Sequence, residues 1–92
     1  MILQLELRRA RTNFIDKVSD PVLNKLLDEL QHFAVLTDAE GEAARAKPRA
    51  DKARDLIDMM RKKGAEASSK LIDVFHANDP YLCKELNPQK PK

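Results

Sequence analysis

The amino-acid sequence predicts an all-α domain, an antiparallel bundle of six short helices. Three observations predict it. The composition sets two glycines, three phenylalanines and one tyrosine against a chain rich in Leu, Ala, Lys, Asp and Arg, a mixture that favours helix over sheet. Apolar residues recur three and four apart along most of the chain, the period of a helix with one buried stripe. Start and stop signals separate these periodic stretches: Asp-Pro twice, a Thr-x-x-Glu box, a Lys-Pro break and an isolated glycine.

Leu3, Leu7, Ala10, Phe14 and Val18 follow spacings of four, three, four and four, giving a first helix of about four turns. Ser19 interrupts it. Asp20 and Pro21 open the second, Asp20 as N-cap and Pro21 at the first helical position. Leu23, Leu26, Leu27 and Leu30 supply its buried stripe. Thr37 and Glu40 form a capping box that starts a short third helix, and Lys47-Pro48 ends it. Gly41 inside that helix costs about 1 kcal/mol, so the element is expected to be short or loose.

The fourth helix runs from about Arg49 to Lys63, with Ala53, Leu56, Ile57 and Met60 inward. Asp51, Lys52, Arg54, Asp55, Asp58, Arg61 and Lys62 fall around the rest. The i,i+4 pairs Arg54–Asp58 and Asp58–Lys62 are expected to support it by about 0.2–0.5 kcal/mol each. Lys62 and Lys63 suit the negative end of the helix dipole, and Gly64 is the expected left-handed stop. A fifth helix holds Ala67, Leu71, Val74 and Phe75 on one side. Asp79-Pro80 repeats the cap-plus-proline signal and opens a sixth, with Leu82 and Leu86 inward. The joining loops are a few residues long, as such a bundle requires.

Ninety-two residues make one domain, with a single core and no room for a deep cleft. The domain is read as residues 1–86. The tail from Asn87 to Lys92 is rich in Pro and Lys without apolar periodicity and reads as the start of a linker in a larger protein. No run of eighteen apolar residues occurs, and the N-terminal stretch carries charges where a signal peptide needs its apolar block. Cys83 is the single cysteine, so no internal disulfide forms and a cytoplasmic setting is expected.

Catalysis finds little support. Cys83 and His76 are a conceivable nucleophile and base, but no third orienting group or oxyanion loop accompanies them. A buried thiol and a surface imidazole are the plainer reading. Two isolated histidines and one cysteine lack metal-ligand spacing. Gly41 and Gly64 are too far apart for a phosphate loop. No cofactor is therefore expected. Tyr81, after a proline at a helix start, reads as a packing residue.

Charge is the more informative feature. Residues 19–46 hold six acids and two bases, whereas residues 47–64 hold seven bases and three acids. Residues 1–18 are also basic, with four bases and two acids. Helices two and three are thus acidic and helices one and four basic. Such a bundle can stack head to tail on itself or a relative, and these heterologous contacts propagate into open filaments. A small basic helical nucleic-acid-binding domain is the alternative from another class, weakened because acids interleave with the bases throughout.

The segments "FIDKVSDPVLNKLLDEL", "VLTDAE", "ADKARDLIDMMRKKGAEA" and "DPYLCKEL" together resemble a caspase-recruitment domain (CARD) of the death-fold superfamily. The similarity is greatest to the CARDs of inflammatory caspases and of inflammasome sensors and adaptors, those of fish in particular. It covers about Leu7 to Leu86. The specificity lies in the ordered series of segments rather than in any one motif. The resemblance implies a six-helix Greek-key death fold, homotypic CARD–CARD binding in the cytosol, no cofactor and no catalysis by the domain. It implies a role in clustering signalling proteins for inflammasome assembly or caspase activation. A regulatory, non-polymerising CARD is the nearer alternative.

The resemblance also implies contact surfaces. The basic one, on helices one and four, offers Arg8, Arg11, Arg49, Lys52 and Arg54. Its acidic counterpart, on helix two and the start of helix three, offers Asp20, Asp28, Glu29, Asp38 and Glu40. A second contact sets Arg61, Lys62 and Lys63 against Asp79 and Tyr81. A third uses Glu42 and Arg45 of helix three. The implied partners are other CARD-containing proteins and further copies of the chain, with no nucleic acid and no membrane.

Overall fold

The computed structural model describes residues 11–86. Leu3, Leu7, Arg8 and Ala10 of the first helix, and the tail from Asn87, lie outside the described residues. Among those described there are six helices and no strand. They are α1 (residues 11–17), α2 (Asp20–His32), α3 (Asp38–Arg45), α4 (Arg49–Lys63), α5 (Ala65–Asn78) and α6 (Pro80–Leu86).

One stripe from each helix builds the core. Leu23, Leu26, Leu27 and Leu30 of α2 are fully buried, as their spacing predicts. Ala53, Leu56 and Met60 of α4 join them, while Ile57 is only half-buried. α5 packs on α2, α4 and α6, and α2 also carries α3 and α4. From α1, Phe14, Ile15 and Val18 enter the same core. Phe14 meets Phe75 of α5 edge to face, with centroids 5.1 Å apart, a preferred aromatic geometry. Leu82 and Cys83 close the bundle from α6, with Leu86 half-buried against it.

The helix ends follow the sequence with two corrections. Ser19, not Asp20, caps α2: its hydroxyl accepts the Val22 N–H at 3.3 Å. Asp20 is the first helical residue, and its carboxylate is left for a tertiary contact. Gly64 has positive φ, but at φ 116° and ψ −172° it is not left-handed helical. That extended mirror region is essentially open only to glycine. It is needed because α5 starts at the next residue and one residue must turn the chain. Asp79 does cap α6, accepting the Leu82 N–H at 3.1 Å. α3 is short, with eight residues, and both arms of its capping box form. Thr37 Oγ1 accepts the Glu40 N–H at 3.1 Å and Glu40 Oε1 accepts the Thr37 N–H at 3.0 Å. Gly41 is buried against Gln31 of α2, and a Cβ there would lie 2.3 Å from Gln31 Oε1. The glycine thus marks a close approach between α2 and α3.

The turn after α2 is unusual. Ala34 has φ 61°, its N–H donates to Gln31 O at 3.0 Å, and the Val35 N–H donates to Leu30 O at 2.9 Å. This is a Schellman ending with alanine where glycine is usual. It leaves Phe33 about half exposed (49%), with the Lys70 ammonium 3.7 Å from its ring centroid.

Candidate protein-interaction surface

The charged outer faces are the candidate site, and the structure sorts their residues by what already holds them. The sequence reading puts Lys52 on the outside of α4. It is instead buried, 4% exposed. Lys52 lies one and two helical repeats before Leu56 and Met60, at i, i+4 and i+8, and so shares the core stripe. Its Nζ escapes the apolar surroundings by donating to Asp20 Oδ1 at 2.8 Å and Asn24 Oδ1 at 3.0 Å. A buried ammonium needs such partners. A basic candidate and an acidic candidate are thereby joined to each other within one chain.

Arg49 is also committed. Its Nη1 donates to Ile15 O at 2.5 Å and Val18 O at 3.0 Å, filling carbonyls left open at the end of α1. Arg8 lies outside the described residues. Of the five basic candidates, Arg11 and Arg54 remain on the surface, and each faces an acid of α4. The Arg11 guanidinium donates to both oxygens of Asp58 at 3.3–3.4 Å. Arg54 donates to Asp51 at 2.8 Å. The expected i,i+4 pairs of Asp58 with Arg54 and Lys62 are thus replaced. α1 brings a guanidinium to Asp58, and Asp51 lies within reach of Arg54 one turn back. Lys47 binds Asp55 nearby.

The acidic candidates are engaged as well. Asp28 pairs with Arg45, which ties a first-contact residue to a third-contact one. Glu29 accepts from Asn78, and Asp38 accepts from Gln31 at 3.1 Å. Glu40 accepts both from its capping-box amide and from Lys63, 3.0 Å away. That backbone hydrogen bond, with help from Lys63, holds the Glu40 carboxyl below its ordinary pKa. Glu42 is exposed.

The end of α4 differs. Arg61 and Lys62 are exposed, with no ion pair or hydrogen bond to any described residue. Tyr81, read from sequence as packing, is 89% exposed: at the start of α6 it points outward while Leu82 and Cys83 point in. Asp79 is held by its cap to α6. Sequence reasoning passed over Phe33, an exposed aromatic whose only signal is its place just beyond the last apolar residue of the α2 stripe.

Cys83 is buried, and desolvation, with the Asp79 charge next, pushes its thiol pKa up. Such a thiol stays protonated and unreactive at neutral pH. His76 is exposed. Among the described residues no three His, Cys, Asp or Glu side chains gather as a metal set, and no helix is long and apolar enough to cross a membrane.

The family model for the caspase recruitment domain matches residues 4–89. Mouse caspase-1 is 40% identical over 85 residues, covering 90% of this chain and 21% of the caspase. Xenopus laevis caspase-1-A is 31% identical over 88 residues, 94% of this chain and 23% of the relative. Human caspase recruitment domain-containing protein 16 is 35% identical over 82 residues, 87% of this chain and 42% of that protein. No solved structure matches. The chain spans about a fifth of the length of these caspases, and the part matched is their recruitment domain, a protein-interaction domain without catalytic function. By its helical architecture and these matches, the chain belongs to the caspase recruitment domain family.

Proposed function

We propose that the domain works in the cytosol as a homotypic assembly module, binding the CARDs of other proteins and of further copies of itself. It clusters the proteins that carry it for inflammasome assembly or caspase activation. Tethering raises the effective concentration of attached domains to the millimolar range, where free chains rarely meet. The observation that carries the reading is the end of α4. Arg61 and Lys62 are exposed cations without partners among the described residues, and Tyr81 is an exposed aromatic on another element. Exposed charge and aromatic area of this kind suit a polar protein contact. Repeated head to tail, the contacts build a helical filament.

The test is purification at rising concentration with light scattering and negative-stain microscopy. Filaments that disappear with Arg54→Glu at unchanged melting temperature support the assembly module and its α1–α4 contact. A chain that stays monomeric at every concentration yet binds a second CARD identifies a regulatory, non-polymerising domain. Co-purifying nucleic acid with no self-association overturns the proposal.

A further inference from the structure

The α1–α4 face is basic in the sequence, but the cations exposed among its described residues are balanced by acids in the fold. Lys52 and Arg49 are withdrawn into structural contacts. The cations left among its described residues, Arg11 and Arg54, each sit against a carboxylate of α4. The Arg11–Asp58 pair is partly buried, with side chains 29% and 43% exposed, and makes three hydrogen bonds across 47 residues of chain. The Arg54–Asp51 pair is more open, at 47% and 54%. Two positive and two negative charges cancel.

We propose that Asp51 and Asp58 mask this face, so that α4 carries its own competitor for the partner's acids. The inference rests on the reading that homotypic association uses the α1–α4 face. An incoming carboxylate must displace one already in place. Exchanging one charged hydrogen bond for another gains little, and an ordinary partner is held off. A partner whose helix presents several acids side by side offers more than one internal carboxylate and wins the exchange. The mask therefore sets a threshold and selects for densely acidic faces. Asp58 is the stronger of the two because it engages Arg11 through both oxygens.

The experiment compares the concentration threshold for self-association, by light scattering, of the wild type with Asp51→Asn and Asp58→Asn. Each substitution makes the net charge more positive and by general repulsion should hinder association. Unmasking predicts the reverse. Asp58→Asn is expected to lower the threshold about threefold to fivefold and Asp51→Asn about twofold, the range of a surface ion pair. Asp16→Asn is the charge control. Asp16 is exposed on α1, about 140° round the helix from Arg11, and its removal should bring no gain. Asp58→Glu keeps the carboxylate and should stay near the wild-type threshold. In an Arg11→Ala background, Asp58→Asn should bring nothing further. Unchanged thresholds in both Asn variants overturn the mask, as does a gain shared by Asp16→Asn or surviving in Arg11→Ala. Arg11→Glu and Arg54→Glu separate the two failures. If they abolish wild-type association while the Asn variants do nothing, only the mask falls. If they change nothing, the α1–α4 contact falls with it.

Discussion

The two ends of α4 carry three cations each and put them to opposite uses. Over its first half, Arg49 caps α1 and Lys52 is buried on Asp20 and Asn24, while Arg54 is bound to Asp51. At its last turn, Arg61 and Lys62 have no partner among the described residues, and only Lys63 reaches another element, at Glu40. The first half passes the end of α1 and the start of α2, where open carbonyls and a free carboxylate await a donor. The difference teaches that a basic run is a supply of cations, and that neighbouring elements decide which are spent on the fold. Binding has to work with the remainder.

Lys52→Glu should break the comparison at its most structural point. It places a second carboxylate beside Asp20 in a buried position, and an uncompensated buried charge costs about 3–5 kcal/mol, a large part of a small domain's stability. Lys52→Met keeps the apolar stem and leaves Asp20, half exposed, to resolvate, so its cost should be about 1 kcal/mol. Urea melts of the two variants check this. Equal costs would mean that Lys52 lies on the surface after all.

A smaller effect is expected where the last turn of α4 meets α3 through Lys63 and Glu40. The Glu40 carboxyl is held low in the folded chain, so its contribution is present above the ordinary glutamate value of about 4.3. It is lost as pH falls through the lower folded value. Melting temperatures of wild type and Glu40→Gln should therefore lie furthest apart near neutral pH and converge only as pH falls through that lowered folded value. Parallel curves would show that the capping box, not the charge, does the holding.

The smallest effect on stability belongs to the free end. Arg61→Glu with Lys62→Glu should cost about 1 kcal/mol or less, the penalty for acids at the negative end of the helix dipole, since neither side chain is tied to another described residue. Self-association should nonetheless be lost, because reversal sets like charges together at every repeat of the contact. Retained assembly, measured by the same light scattering, would move the binding surface elsewhere.

The two Asp-Pro pairs show how far the sequence reaches. Both announce a helix and both helices form there. At Asp79 the carboxylate caps α6 as read. At Asp20 the preceding Ser19 takes the cap instead, and the aspartate goes to Lys52, 32 residues away. The core leucines of α2, the limits of α4 and the capping box of α3 were legible because they depend on interactions three or four residues apart. Lys52 was legible in part, through its register with Leu56 and Met60, and was missed because lysine is assigned to the outside by type.

What the sequence alone determined is therefore the all-α class, the six helices and the leucine stripes, since periodicity, caps and proline breaks act within a turn or two of chain. The tertiary structure decided which charges are free. Arg11 meets Asp58 across 47 residues, Lys17 meets Glu85 across 68, and Arg49 reaches back 34 to Ile15. No local pattern encodes such pairs. They exist because packing brings long, flexible cationic side chains within a few ångströms of whatever acceptor the neighbouring helix offers, and a partly buried charge takes the partner that desolvates it least.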